Sequence, residues 1–287
     1  MHDRVPEREN VSRRAFFGRA AAAPLEPRRR LSQQTLLIGL AHPDDEVGTA
    51  GTILAQRARG DRVVIVWLSR GEQTEAFGPI PTDEVAQRRQ RQGEEAAAIL
   101  DAEAIFLDLP DTAITHDRDT AIRLAKLICE VRPDGLLTWG DAWVRGLRHP
   151  DHQACGRIFR DAVMLARMAK LVAPLAPHRK PVPIFTLRDI HSTLPATAVD
   201  VTPFRDGIGE VAGLYHKGLG FGDAAWIERR LSDAGARWGV RYAEEFDAWE
   251  SEPATAATLL PVPPLEGVVH PDRAETRSVP MDRLASG

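Results

Sequence analysis

Cysteine is nearly absent from this chain. Cys129 and Cys155 are the only two in 287 residues. Each falls in a stretch expected to be helical, so a disulfide framework is excluded and two buried free thiols are expected. Long apolar runs are missing as well: nothing approaches the roughly 20 residues that span a bilayer, and a soluble chain with no stable membrane insertion is expected. Basic charge is not in excess, and a formal net charge of −4 supplies no general footprint for nucleic acid. No internal repeat is found. Glycine is lacking where a dinucleotide-binding turn would need it: Ala41 to Glu46 has none and carries Asp44 and Asp45, which would repel a pyrophosphate.

What is present is an ordinary globular composition, long enough for a sizeable core. Residues 1–33 are rich in Arg, Glu and Ala without sustained periodicity and read as a flexible arm. Within it Ser12-Arg13-Arg14-Ala15-Phe16-Phe17 resembles a twin-arginine export signal. Arg19 follows at once, however, and the apolar stretch Ala20 to Leu25 contains Pro24 and is shorter than the usual h-region of about 7 to 15 residues. Cytoplasmic residence is therefore the expectation, with export as the alternative. Residues 34–251 form the expected folded domain, and residues 252–287, rich in Pro, Ala and charge, read as a tail.

The domain opens on Leu36 to Leu40, a continuous apolar run of strand length, as in strands covered on both faces of a parallel sheet. Helical spacing over Val47–Arg59, a second buried run at Arg62–Leu68, a helix over Asp83–Leu100, strands at Ala104–Leu109 and Gly135–Trp139 and a helix over Asp119–Val131 give a repeated βα alternation. That pattern predicts an α/β fold, a Rossmann-like three-layer sandwich with a mainly parallel sheet and its active site at the carboxyl ends of the strands. A helix from Pro150 to Ala169, strands at Ile184–Arg188 and Ala198–Val201, and helices over Pro203–His216 and Asp223–Trp238 complete it.

Two histidine-carboxylate clusters follow strand ends. The first is His42-Pro43-Asp44-Asp45-Glu46, where Pro43 stops the ladder and stiffens the turn. An acidic pair here is also what a helix N-cap looks like, and one of the two carboxylates can still serve that way. The second is His149-Pro150-Asp151-His152 at a helix start. Parallel sheets bring such loops to one edge, so the clusters can converge across about a hundred residues of chain. A catalytic zinc site takes three protein ligands and leaves a position open; His42, Asp45 and His152 supply that count. Asp44 is then free to take a proton from an attacking water, and His149, its ring oriented by Asp151, to stabilise an oxyanion or protonate a leaving amine. This describes metal-assisted hydrolysis of an acyl bond.

The two motifs, Ala41-His42-Pro43-Asp44-Asp45-Glu46 and His149-Pro150-Asp151-His152, resemble those of the LmbE-like, or PIG-L-like, family of zinc-dependent N-acetylglucosaminyl deacetylases. The likeness extends through Gly51-Thr52, Gly60, Ser69-Arg70-Gly71-Glu72, Arg89, Leu109-Pro110-Asp111 and Tyr242-Ala243-Glu244-Phe246, over roughly residues 35–250. It implies one zinc per chain on His42, Asp45 and His152, with iron(II) suited to the same ligands, Asp44 as general base, His149 as electrophilic or acid partner, and an N-acetyl amino sugar or its glycoconjugate as substrate. A homo-oligomer is admitted but not specified. Arg89, Asp111, His191 and His216 are candidate substrate contacts, although a surface or satisfied histidine is the plainer reading of the last two. Departures fall on the expected sugar side: Gln92 stands where an acidic residue is usual, Ile208-Gly209 where a Lys is expected, and Gly218-Leu219 where Ser-Gln follows the late histidine. His270-Pro271-Asp272 repeats part of the motif without a strand-helix frame. Competing readings are an amidase acting on a thiol or glycolipid conjugate, a metal-bearing protein without catalysis, and a silent Rossmann-like binding module.

Overall fold

The computed structural model of the protein describes residues 33–140, 149–189, 192–220, 224–249 and 254–261. Its centre is β1 (Thr35–Leu40), whose Leu36, Leu37, Ile38 and Leu40 are fully buried. With no polar side chain to present to water, such a run is stable only when covered on both faces. β2 (Arg62–Trp67) and β4 (Gly135–Thr138) flank β1 in parallel, with Ile38 opposite Ile65 on one side and Leu137 on the other. β3 (Glu103–Phe106) adds to β2 and β5 (Ile184–Leu187) to β4, both parallel. β7 (Ala243–Ala248) then runs antiparallel between β5 and β6 (Ala196–Asp200), and β8 (Ala254–Ala256) closes the edge. The order is β3-β2-β1-β4-β5-β7-β6-β8, an α/β fold with a mainly parallel sheet.

The order reverses at β1, whose neighbours are β2 on one side and β4 on the other. The loops that leave β1 and β4 therefore diverge over one edge and leave a crevice between them. On one face α1 (Ala50–Ala58) and α2 (Thr82–Ile99) pack with α6 (Arg205–Leu219); on the other α3 (Arg118–Val131) packs on α4 (Pro150–Leu165). Two glycines bring α4 against the crevice. A Cβ on Gly39 of β1 would sit 2.4 Å from the Phe159 ring, and one on Gly156 would sit 2.1 Å from the Trp139 carbonyl oxygen. Nothing larger lets the helix approach the strand ends this closely.

Differences from the expectation have local causes. The helix expected over Val47–Arg59 is split into a 3₁₀ turn, Asp45–Gly48, and α1, because Glu46 is drawn inward to Trp67 and Tyr215 and Thr49 leaves helical geometry at φ −135°. The helix expected from Pro150 to Ala169 ends at Leu165 and is followed by a separate single turn, α5 (Ala169–Val172), and the second of the late strands starts at Ala196 rather than Ala198. α7 (Ala224–Trp238) lies where periodicity placed it. Composition ended the domain at residue 251. Instead, β8 pairs with β6, and Leu259 and Leu260 are buried in the core, where the Gln56 amide exchanges hydrogen bonds with the Leu260 backbone. Cys129 and Cys155 are buried and free. No helix among the described residues is long and apolar enough to cross a membrane.

Candidate metal centre and active-site cavity

The first turn hangs from the end of β1. Asp45 bends back so that its Oδ2 accepts from the Ala41 and His42 N–H groups (2.9 and 3.1 Å) and from the Trp139 indole (3.0 Å). Its other oxygen, Oδ1, faces His152 Nε2 at 3.2 Å. Burial alone would raise this carboxyl, but the His152 charge and hydrogen bond outweigh it and hold Asp45 well below the ordinary range. Asp44 points the other way. It has φ 113° and no side-chain cap bond, a conformation costing a non-glycine residue about 1–3 kcal/mol. Two contacts impose it: Glu46 Oε2 accepts the Asp44 N–H (3.0 Å), and Arg89 Nη2 donates to the Asp44 carboxylate (2.8 Å). Asp44 stands at the N-cap position of the 3₁₀ turn, but its side chain makes no capping bond there. Burial raises the Asp44 carboxyl to about 6 against the pull of Arg89.

The second turn comes from β4 and α4. Pro150 occupies the first helical turn and His149 the cap, its Nδ1 accepting the Asp151 N–H at 3.3 Å. That bond assigns the ring's proton to Nε2, leaving a neutral donor. Burial, followed by the charges of His42 and His152, lowers the His149 pKa and favours the same neutral form. His152, one turn on, is stacked against Trp139 with centroids 3.8 Å apart and planes 6° from parallel. Asp151, expected to orient His149, holds that ring through its backbone N–H and turns its side chain elsewhere. Its carboxylate is fully buried, accepts from the Thr112 and Ile114 N–H groups (2.7 and 3.2 Å), lies 3.1 Å from His42 Nε2 and stays 4.0 Å from His149. The ring it positions is that of His42.

The sheet edge thus brings together His42, Asp44, Asp45, His149, Asp151 and His152. The ring nitrogens of His42, His149 and His152 lie within 4.8 Å of one another, and a second group joins His42 and His149 to Asp111 and Asp151. These donors fit a metal ion in number and kind. Electrostatics agrees: burial disfavours charge on His42, yet Asp111, Asp151 and Asp45 outweigh it and raise its pKa to about 10. A site that draws a proton so strongly onto an imidazole presents the same negative potential to a divalent cation.

Of the candidate substrate contacts, Arg89 is a correction. It is almost wholly buried beneath the first turn, donating to the Pro43 carbonyl, to Asp44 and to Gln92 Oε1 (3.1 Å), with its head 5.7 Å above the Tyr215 ring. It positions Asp44 and does not face the cavity. Gln92, one departure from the family pattern, lies against another, since a Cβ at Gly218 would meet the Gln92 amide at 1.9 Å. Asp111 is buried, takes the Gln73 N–H (2.9 Å) and lies 3.1 Å from His42 Nε2. His216 is exposed in the last turn of α6, away from the cavity. His191 and the His270 repeat lie outside the described residues.

A cavity of about 430 Å³ opens over the turn, lined by Asp44, Asp45, Trp139, His149 and His152 among others. Val47, Leu187 and Trp226 contribute apolar lining, and Arg188 and Arg230 line it as well. Trp139, Trp226 and Arg230 escape a reading of the sequence. Trp139 is merely the residue after a strand, and the two on α7 belong to an unremarkable amphipathic helix.

Residues 37–163, which include both motifs, match the PIG-L family, described as GlcNAc-PI de-N-acetylase. These residues carry a PIG-L family domain. A diacetylchitobiose deacetylase of Thermococcus kodakarensis is 32% identical over 144 residues, 48% of this chain and 54% of the relative. A 4-oxalmesaconate hydratase of Pseudomonas putida is 30% identical over 144 residues, 47% of this chain and 54% of the relative. The chain thus spans about half the length of the curated relatives it matches. In fold, the PIG-L domain and its surroundings resemble an N,N'-diacetylchitobiose deacetylase from Pyrococcus horikoshii, with TM-score 0.67, 24% identity and coverage of 76% of this chain and 84% of that one.

Proposed function

We propose that the protein is a zinc-dependent N-deacetylase that hydrolyses the N-acetyl group of an amino sugar or its conjugate, with His42, Asp45 and His152 as ligands. The observation that carries this reading is the convergence of three imidazoles with Asp45 beside a second carboxylate, Asp44, that no ligand set requires. A bound zinc supplies Lewis acidity for the acyl carbonyl and makes water a stronger acid. Asp44 takes the proton of the attacking water, its carboxylate aimed by Arg89 and its backbone pinned by Glu46. His149 offers Nε2–H to the oxyanion, and the proton that Asp44 took from the water passes to the leaving amine. Trp139 fixes the plane of His152 and the orientation of Asp45 together. Asp111 and Asp151 hold the His42 ring.

Acetate release from N-acetylglucosamine and its conjugates tests this directly. Zinc-loaded protein should release acetate, and the chelated protein should not. His152→Ala should lower the bound zinc measured by elemental analysis. Activity that survives strong chelation would overturn the reading. The likeness to a hydratase favours a second one, in which the same activated water adds to a carbon-carbon double bond of an unsaturated acid. Loss of conjugated ultraviolet absorbance without acetate release would select it. A cytoplasmic site of action is part of the proposal, and fractionation that finds the protein exported would remove it.

A further inference from the structure

We propose that Arg230 is the recognition residue for an anionic group on the substrate, a carboxylate or a phosphate, so that the preferred N-acetyl amino sugars are acidic. The proposal rests on the deacetylase reading for the rest of the substrate. Arg230 projects from α7 into the wall of the active-site cavity. A guanidinium carries five N–H donors and remains charged. Here one hydrogen bond is made, from Nη2 to the Gly48 carbonyl at 3.2 Å, and among the described residues no carboxylate lies within ion-pair distance.

The carboxylates that could answer its charge are committed elsewhere. Glu244 accepts from the Gly51 and Thr52 N–H groups (2.9 and 2.8 Å), and Glu245 is held by Arg237 and by the Trp238 indole (2.7 Å). Both act on Arg230 only through space, while burial lowers its pKa. The other arginine of the wall, Arg188, is already paired with Asp247 and donates to the Leu194 carbonyl (3.1 Å). Arg230 is thus a partly desolvated cation with unspent donors facing a cavity large enough for a sugar. Such a group is costly unless an anion completes it.

Its place suits the chemistry. The Gly48 carbonyl is available because the 3₁₀ turn ends there, three residues after Asp45. At about 2 Å per residue that sets the Arg230 contact about 6 Å along the turn from the metal-centre carboxylate. Leu187 and Val47 beside it would exclude water from the ion pair. A bidentate fork onto a carboxylate or phosphate there would fix which end of the sugar faces His149.

The test is calorimetric binding to the zinc-loaded full chain carrying Asp44→Asn, which slows turnover about 10²- to 10⁴-fold. The ligands are N-acetylglucosamine 6-phosphate, N-acetylmuramic acid and neutral N-acetylglucosamine. One acidic ligand should bind roughly 10- to 100-fold more tightly than the neutral sugar. Arg230→Ala should remove that advantage and Arg230→Lys should retain part of it. The acid that gains identifies phosphate or carboxylate as the source. Equal affinities, or an advantage that survives Arg230→Ala, would overturn the proposal. Zinc content and melting temperature report whether each variant folds, and Arg230→Gln serves the same comparison if the alanine variant does not. Absence of acetate release from neutral and acidic sugars alike would sink the deacetylase reading separately, because the affinity ratio does not depend on turnover.

Discussion

At the scale of single residues, neighbouring aspartates are given opposite tasks by where their lone pairs go. Asp45 uses one oxygen to satisfy three N–H donors and keeps the other for His152, whereas Asp44 meets only Arg89 and the cavity. Asp44→Asn keeps the shape of the turn and removes the proposed base. It should leave zinc content unchanged and lower acetate release about 10²- to 10⁴-fold, measured side by side with the unsubstituted protein. His178 makes a second residue-scale case, remote from the site. Its Nε2 donates to the Pro133 carbonyl at 2.9 Å, and the buried Nδ1 has no partner among the described residues. Burial lowers its pKa below the ordinary value near 6.5. Below that value the unfolded chain takes up a proton that the folded one refuses, so stability is present above it and lost as pH falls through it. Denaturant titrations between pH 8 and pH 5 should show that loss, and His178→Gln should flatten it.

At the scale of elements, the site depends on how closely α4 approaches the strand ends. Gly156→Ala would place a methyl 2.1 Å from the Trp139 carbonyl, and the helix would have to retreat. Overpacking of this kind costs about 1–3 kcal/mol. Here it should also weaken zinc binding, because His152 moves with the helix; melting curves and zinc titration check the two effects. Elements are also where the sequence was most and least legible. β1 and β2 are apolar runs with one feasible environment, and Pro150 marks the start of α4, so the sheet edge and both motifs could be placed from spacing alone. Partners distant in sequence could not. Glu244 caps α1 from β7, 193 residues away, Arg89 reaches Asp44 from the middle of α2, and the Asp151 carboxylate serves His42 rather than its neighbour His149. Each of those pairings follows from the packing of one layer on another, which periodicity does not encode.

At the scale of the whole molecule, the sheet is finished by a segment that composition reads as a tail. β8 pairs with β6, Leu260 fills the space left by the missing side chain of Gly135, and its backbone satisfies the buried Gln56 amide. A chain ended at residue 253 would expose that groove and orphan the amide. Loss of a buried leucine alone costs about 2–5 kcal/mol, so the shortened protein should melt well below the full one by calorimetry, whereas a chain ended at residue 265 should match it. A last consequence concerns Trp139. Its indole stacks on one proposed ligand and donates to another, so light absorbed there is emitted beside the candidate metal site. Of the six tryptophans, Trp139 should therefore report occupancy by its fluorescence. Adding zinc to metal-free protein should change the emission, and Trp139→Phe should silence the response.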